Sequence, residues 1–441
     1  MTLPPGPRAP SWAQLARWVM RPLPMLDECH REHGDLITLR VPFDGAIIVV
    51  ASPELIREVL TADGDVLRAG AGNATVVGPL LGKHSLLTLD GAEHLRQRRL
   101  LLPAFHGERM HAFATVMREI TEASLEAWPV GAPFSLHPMM QSITLDVILR
   151  TVFGVANTDD KTPLRAALVE LLELAATPLM LTAGLLKLDV LRIPWLKVTK
   201  LKHAIDDELY RVIAERRRAG AGGTDVLSMM IAARDEHGRA MSDVELRDEL
   251  VTLLVAGHET TATSLAWTFD QLLANPHTLV RLRDELAGGR DEYLDAVIRE
   301  TLRLRPIVPL VGRVVAKPFQ LGGYTFREGA RLAPSIYLAG RHAATYRSPE
   351  QFEPERWIGV KPDPYTWLPF GGGIRRCIGM AFAQFEMRVV LQTVVPRVRL
   401  RLADGPARVV RRGITLAPSG GTRVVLEERA APARSHPPRA A

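Results

Sequence analysis

The feature that most constrains the fold is a long apolar-periodic run that begins at Ser242 and continues to about Ala274. Ser242 and Glu245 form an S-x-x-E capping box, which is a signal for a helix start. Asn275-Pro276 predicts the end of the helix, because the residue before a proline avoids helical backbone angles. At 1.5 Å per residue this helix would be about 48 Å long, enough to cross a domain of this size.

The N-terminal part of the chain shows both strand and helix signals. Residues 35–40 and 46–50 predict a β-hairpin. Ser52 and Pro53 predict the start of a helix that runs to Leu60. The glycine-rich segment 67–82 is typical of a loop.

Later segments are mostly helical. Residues 93–218 predict helices interrupted by prolines, and a further helix is expected at 291–304. Short strands are expected within 319–334, and a last helix from Cys377 to about Pro396. The sequence therefore predicts a mainly α fold with a minor β region.

Composition indicates one large domain. The chain has 441 residues, of which 47% are hydrophobic, and no low-complexity linker divides it. We therefore expect a single domain over residues 1–429, followed by a disordered tail at 430–441.

The net charge of +6 argues against nucleic-acid binding, because 55 basic residues are offset by 49 acidic ones. No signal peptide is evident, and the longest uncharged apolar stretch, 174–186, contains Pro178. A membrane span needs about twenty residues. We expect a soluble, cytoplasmic protein.

The two cysteines, Cys29 and Cys377, exclude a disulfide scaffold, an iron–sulfur cluster and a Cys-rich zinc site. Cys377 lies in the segment 370–379, FGGGIRRCIG, whose three glycines permit a tight turn. At the predicted start of a helix, free amide groups and the helix dipole favour an anion, so the thiol should ionise readily. From the spacing alone, the alternative that Cys377 is a buried structural cysteine remains open. A nucleophilic cysteine lacks a supporting His/Asn arrangement.

The segment resembles the cytochrome P450 family. Its signature F-x-x-G-x-R-x-C-x-G is matched at five positions: Phe370, Gly373, Arg375, Cys377 and Gly379. The resemblance extends over about residues 4–426. It implies a triangular, mostly helical, single-domain fold around heme b, with Cys377 as the axial ligand and Phe370 and Gly371 beside the porphyrin.

A second segment resembles the family's oxygen-activating turn, [AG]-G-x-[DE]-T-[TS]. It is Ala256-Gly257-His258-Glu259-Thr260-Thr261, midway along the long helix. Gly257 would leave space for a diatomic ligand. The Thr260 hydroxyl would bond the Ala256 carbonyl and locally bend or open the helix. Glu259 and Thr260 would pass protons, and His258 is expected to be structural or solvent-linked.

Two further segments resemble structural landmarks of the family. Glu300 and Arg303 match E-x-x-R, and Pro354-Glu-Arg356-Trp resembles its P-E-R-[FW] segment. The resemblance implies a buried network of Glu300, Arg303 and Arg356 that locks the loop before Cys377. One departure is Gly340, where many relatives carry a histidine, which puts a local contact in doubt.

Heme propionates need cationic partners. The resemblance suggests His94 and Arg98, which match H-x-x-x-R, together with Arg313 and Arg375. Three further arginines are expected to face solvent and to help dock an acidic electron carrier: Arg96, Arg99 and Arg376.

The implied activity is monooxygenation. The enzyme would use dioxygen and two externally supplied electrons to insert one oxygen atom into the substrate, by hydroxylation or epoxidation. A separate ferredoxin and ferredoxin reductase would supply electrons to a monomeric enzyme. Apolar segments near the site, at 67–82, 171–186 and 307–311, favour a hydrophobic lipid, terpenoid, steroid or polyketide, although they could equally be core. A heme-thiolate isomerase or dehydratase and a non-catalytic heme sensor remain alternatives.

Overall fold

The computed structural model of the protein describes residues 3–42, 45–105, 109–154, 163–175, 177, 192–220 and 222–429. The expected tail at 430–441 lies outside the described residues, as does most of the apolar stretch 174–186.

The described residues are mainly helical. The helices are α1 Ser11–Met20, α2 Pro22–His33, α3 Pro53–Thr61, α4 Gly70–Leu81, α5 Gly91–Leu101, α6 Arg109–Glu126, α7 Leu136–Phe153, α8 Pro163–Ala175, α9 Arg192–Ala219, α10 Val226–Ala232, α11 Asp243–Ala274, α12 Pro276–Ala287, α13 Glu292–Leu304, α14 Ile336–Ala339 and α15 Met380–Arg397.

The strands are short. They are β1 Leu36–Val41, β2 Gly45–Val50, β3 Leu67–Arg68, β4 Pro133–Ser135, β5 Arg313–Val315, β6 Phe319–Leu321, β7 Tyr324–Phe326, β8 Arg331–Pro334, β9 Val398–Leu402, β10 Val409–Arg412, β11 Thr415–Pro418 and β12 Arg423–Arg429. They form a five-stranded sheet in the order β1-β2-β8-β5-β3, a three-stranded sheet β4-β12-β9 and two hairpins, β6-β7 and β10-β11.

Helix α11 is the central element. It begins at the predicted capping box, in which the Ser242 hydroxyl accepts from the Glu245 amide and the Glu245 carboxylate accepts from the Ser242 amide. It packs against α4, α7, α9 and α15. Most of its residues are buried on all sides, as expected of a helix that crosses a domain.

Among the described residues, three apolar clusters form the core. The largest joins the helices around α11, including α6, α7, α13 and α15. A second lies between the five-stranded sheet and α3, and a third connects α2, β1, β2 and α14. The loop that carries Cys377 lies between the first two clusters, because Phe370 packs on one and Leu368 belongs to the other.

Most of the predicted elements are confirmed, and two are wrong. The first hairpin pairs Leu36 with Val50, and Ser52 caps α3 by accepting from the Leu55 amide. Segment 67–82, expected to be a loop, instead contains β3 and α4. Glycines lower the local preference for a helix, but α4 packs against α11 and β5, and that packing stabilises it.

The second error concerns the last helix, which begins at Met380 and not at Cys377.

Within the described part of the chain, no helix combines the length and the apolar composition needed to cross a bilayer.

Candidate active site

The turn before Cys377 depends on two of its three glycines. Gly373 has a φ of +62°, and a Cβ added there would lie 1.9 Å from the backbone oxygen of Leu60 at the end of α3. Gly371 also has a positive φ, +66°, but an added Cβ would meet nothing within 4 Å. The turn is closed by the Cys377 amide, which donates to the Phe370 carbonyl at 2.9 Å. Glycine at 373 therefore lets the loop press against α3.

The Cys377 thiol is surrounded by protein atoms. The residue is exposed by surface area, although its thiol is desolvated by the surrounding protein. Burial raises its pKa, against the opposing effects of the Gly379 amide and the charges of Arg98 and Arg376. The expectation of ready ionisation is therefore wrong for the protein alone, since α15 begins three residues later and burial dominates. A positive ion bound to the sulfur would reverse that balance.

All four predicted propionate partners lie close together. Burial and the charges of Arg375, Arg98 and Arg313 lower the pKa of His94 to about 4. The pKa of Arg313 falls to about 10, first because it is buried and then because Arg375 is near. Arg375 is oriented by Asp90 and by the carbonyls of Leu86 and Leu89. Side chains from α5, β5 and the Cys377 loop thus meet in one cationic cluster.

This cluster fits a cofactor that carries carboxylates. Among the described residues, Arg98 and Arg313 form no ion pair, and Asp90 is the one carboxylate that acts on the cluster. Buried guanidiniums are costly unless anions balance them. Arg98 also interacts electrostatically with Cys377. An added Cβ at Gly379 would meet nothing within 4 Å, which leaves the loop open beside the thiol. The residues present therefore suit heme, with its two propionates and a thiolate ligand.

Helix α11 carries the second part of the site. Ala256 is exposed in the middle of this mostly buried helix. The Thr260 hydroxyl donates to the Ala256 carbonyl at 2.6 Å, as predicted. The backbone remains α-helical through this turn, so the expected opening of the helix is not observed. Ala256 and Thr260 provide a small apolar surface beside a hydroxyl.

Gly257 lies against α7. A Cβ added there would lie 3.0 Å from Cδ1 of Ile148, so a larger residue would require that side chain to move. The space expected for a small ligand beside Gly257 stays a prediction. His258 is buried, and its Nδ1 lies 3.0 Å from the Thr144 hydroxyl. Burial lowers its pKa to about 3, which agrees with the structural role predicted for it.

Three side chains from other elements contact the Glu259 carboxylate. Its carboxylate accepts from Gln141 Nε2 at 2.7 Å and from Arg412 Nε at 2.9 Å. His137 Nε2 lies 3.5 Å from Oε1. Burial raises the pKa of Glu259, whereas Arg412 and Gln141 oppose the shift. A buried carboxyl with a raised pKa that contacts a half-buried arginine is a candidate for proton transfer.

The predicted network around Glu300 is confirmed. Arg303 donates to both carboxylate oxygens at 2.8 Å, and Arg356 Nε donates to Oε1 at 3.0 Å. Burial alone would raise the pKa of Glu300, but Arg303 and Arg356 bring it below its ordinary value. The Trp357 indole also donates to Glu300, at 2.8 Å. The carboxylate is therefore ionised and fully satisfied although it is buried.

An aromatic chain connects this network with the Cys377 loop. The ring centroids of Trp357 and Trp367 lie 6.2 Å apart, and those of Trp367 and Phe370 lie 5.8 Å apart. Phe370 accepts from the Cys377 amide. The Glu300 network thus supports the loop by packing, without a direct bond to it.

The departure at Gly340 does not disturb the network. The Gly340 carbonyl accepts from Arg303 Nη1 at 2.6 Å, and a Cβ at 340 would lie 2.9 Å from the Arg303 carbonyl. A residue with a side chain would require the backbone to shift.

Sequence reasoning missed several residues that act on the site: Asp90, His137, Gln141, Trp367 and Arg412. Asp90, His137, Gln141 and Arg412 contact site residues more than a hundred positions away. Trp367 lies three residues before Phe370, outside the cysteine signature. One expected surface arginine is also placed differently. Arg96, predicted to face solvent, forms ion pairs with Asp235 and Glu245 at 2.7 and 2.6 Å.

Comparisons with known proteins match this architecture. A family model described as Cytochrome P450 matches residues 3–421. Cytochrome P450 137 of Mycobacterium tuberculosis is 40% identical over 401 residues, which cover 89% of this chain and 83% of that protein. Cytochrome P450 135B1 of Mycobacterium bovis is 39% identical over 435 residues, covering 96% and 91%.

Solved structures show the same fold. Retinoic acid-bound cyanobacterial CYP120A1 has a TM-score of 0.85 at 24% identity, over 98% of this chain and 100% of that one. The heme domain of cytochrome P450DA has a TM-score of 0.85 at 25% identity, over 97% and 98%. The region matched by the family model contains all the site residues described above.

Proposed function

The chain belongs to the cytochrome P450 family of heme-thiolate monooxygenases, as its motifs predicted, and we propose that Cys377 is its thiolate ligand to heme b. The observation that carries this assignment is the cluster beside that cysteine, formed by the buried His94 and Arg313 and the half-buried Arg98 and Arg375. The shortage of carboxylates in the cluster supports its binding of the two propionates. Arg375, already oriented by Asp90, would present its guanidinium without further ordering.

Bound heme supplies the activation of dioxygen, and a thiolate ligand favours cleavage of the O–O bond. The chain's own part is to position groups and move protons. Thr260 provides a hydroxyl whose hydrogen bond to Ala256 fixes its orientation. Glu259 takes up a proton on the side of α11 that faces Gln141 and Arg412. The Glu259 carboxyl then delivers the proton toward Thr260, either after the Glu259 side chain rotates or through a water molecule. Phe370 and Gly371 shield the thiolate side.

The product is a hydroxylated or epoxidised hydrophobic small molecule of the lipid, terpenoid, steroid or polyketide class. Support comes from the half-buried Leu253 and Val255 on the turn before Ala256, and from α4, which packs against α11. Electrons come from a separate ferredoxin and its reductase, and the enzyme acts as a cytoplasmic monomer. Residues 1–429 form the catalytic unit.

The reduced carbon monoxide complex tests the ligand assignment. Wild-type protein should show the strongly red-shifted Soret band of a thiolate ligand, and Cys377→Ser should lose it. Cys29→Ser is the matched control, because Cys29 is buried in the third apolar cluster and should leave the band unchanged. A red-shifted band that persists in Cys377→Ser would refute the assignment.

Turnover tests the reaction. With NADH and a surrogate ferredoxin and reductase, a substrate that shifts the spin state should increase oxygen uptake and yield an oxygenated product. Rearrangement of a peroxide without oxygen or electrons would instead indicate an isomerase or dehydratase.

A further inference from the structure

A second group of potential metal ligands lies among residues that take no part in the heme site. It consists of His30 near the end of α2, Asp35 just before β1, and His342 in the turn after α14. One nitrogen from each histidine and one carboxylate oxygen all lie within 4.8 Å of one another. Residues more than three hundred positions apart in the chain therefore converge on one point.

The spacing of these ligand atoms is close to that of a coordinated ion. His30 Nε2 lies 2.9 Å from Asp35 Oδ1, and His342 Nε2 lies 3.6 Å from the same oxygen. Tetrahedral zinc with bonds of about 2.0–2.1 Å places its ligand atoms about 3.3 Å apart. Small side-chain adjustments of the three residues would therefore bring their three ligand atoms to the spacing found around a zinc ion.

The environment permits an ion to enter. The side chains of His30, Asp35 and His342 are 30%, 40% and 17% exposed. His342 Nδ1 is buried and has no partner among the described residues, so Nε2 is the ring nitrogen directed to the group. The neighbouring cation Arg341 is engaged elsewhere, since it donates to the Leu304 carbonyl and pairs with Glu350.

The donor set selects the class of ion. Two imidazoles and one carboxylate suit borderline divalent ions such as Zn²⁺, whereas Ca²⁺ and Mg²⁺ prefer oxygen ligands alone. Three protein ligands would leave at least one position for water. We propose that His30, Asp35 and His342 bind a divalent transition-metal ion, with Zn²⁺ as its representative, and that the ion cross-links α2, the start of β1 and the turn after α14.

This site would act on stability and not on oxygen chemistry. An ion that binds the folded chain more tightly than the unfolded one raises the melting temperature. The alternative is a hydrogen-bonded group in which Asp35 only orients two imidazoles. Both arrangements contain the same short contacts, so a measurement of zinc binding is needed to distinguish the metal site from the hydrogen-bonded group.

The test is calorimetric titration of the EDTA-treated holoprotein, without a histidine tag, with zinc chloride. We expect one Zn²⁺ per chain, a rise in melting temperature, and at least about a tenfold loss of affinity in His30→Ala, His342→Ala and Asp35→Asn. Asp35→Asn retains a hydrogen-bond acceptor for His30 but removes the charge. The control is His237→Ala, which changes an exposed histidine outside the group and should bind zinc like the wild type.

Two outcomes would overturn the proposal. One is wild-type protein that binds no zinc under these conditions. The other is zinc affinity that survives in Asp35→Asn and His342→Ala, or that falls equally in His237→Ala. The Soret band of each variant shows whether its heme is retained, so a failed heme site is distinguishable from a failed zinc site.

Discussion

Arg412 donates from Nε to Oε1 of Glu259 at 2.9 Å, which connects strand β10 to the middle of α11. Arg412 opposes the effect of burial on the pKa of Glu259. Arg412→Ala should therefore raise that pKa further and move the acidic limb of the pH–rate profile to higher pH. The rate of product formation at neutral pH should fall, by at most the roughly 10²–10⁴-fold that a positioned proton-transfer group contributes, because Glu259 itself is retained.

Two variants make this result specific to Arg412. Arg412→Lys keeps the positive charge and should restore part of the profile. Arg401→Ala removes an exposed arginine that pairs with Glu427 and should leave the profile unchanged. An Arg412→Ala enzyme with a wild-type pH profile would show that the ion pair is only structural.

Gly373 and Gly371 provide a matched pair, because their φ angles are nearly equal and their surroundings differ. Gly371→Ala should cost only the left-handed backbone strain, about 1–2 kcal/mol. Gly373→Ala adds a Cβ at 1.9 Å from the Leu60 oxygen, so the loop must move. We expect Gly373→Ala to lose most of its heme during purification and Gly371→Ala to keep it, as measured by the ratio of Soret to protein absorbance. Equal heme retention would contradict this account of the turn.

Replacement of Glu300 tests the buried network. Glu300→Gln keeps the shape but leaves Arg303 buried without its anion, and breaking such a pair costs about 3–5 kcal/mol. Glu353→Gln is the control, because the Glu353 carboxylate is 41% exposed and pairs with Arg356, so its loss should cost about 1 kcal/mol or less. The Glu353 backbone amide, which donates to Glu300, is unchanged in this variant. Chemical denaturation of both variants measures the difference. A Glu300→Gln variant as stable as Glu353→Gln would show that the network contributes little to folding.

The sequence predicted the fold well where local signals were strong. The capping box at Ser242 and Glu245 and the Asn275 terminus gave α11 nearly to the residue. Helix α4 was missed because it contains three glycines and Pro79, and its stability comes from packing against α11, which no local pattern reveals. The start of α15 was misplaced because a glycine-rich turn and a helix N-terminus share the same sequence signals.

The site was predictable where a contact is local or belongs to a motif. The hydrogen bond from Thr260 to Ala256 spans four residues on one helix. The partners of Glu259 could not be found, because Gln141 and Arg412 lie 118 and 153 positions away. The thiol of Cys377 was misjudged for a similar reason, since the burial that raises its pKa depends on the whole fold.

His258 on α11 makes the stability of the fold depend on pH in the acidic range. Burial, assisted by the neighbouring His137, holds its pKa at about 3, whereas an unfolded histidine titrates near 6.5. Between these pH values the unfolded chain therefore binds one more proton than the folded chain does. The contribution of His258 to the free energy of unfolding is most favourable above about pH 6.5 and becomes less favourable as the pH falls toward 3. The free energy of unfolding should decrease by up to about 1.4 kcal/mol per pH unit in that window through this group alone. His258→Gln should reduce the slope, whereas His237→Gln, at an exposed position, should not. Urea denaturation at several pH values between 4 and 7 measures these slopes, and identical slopes for wild type and His258→Gln would rule out the linkage.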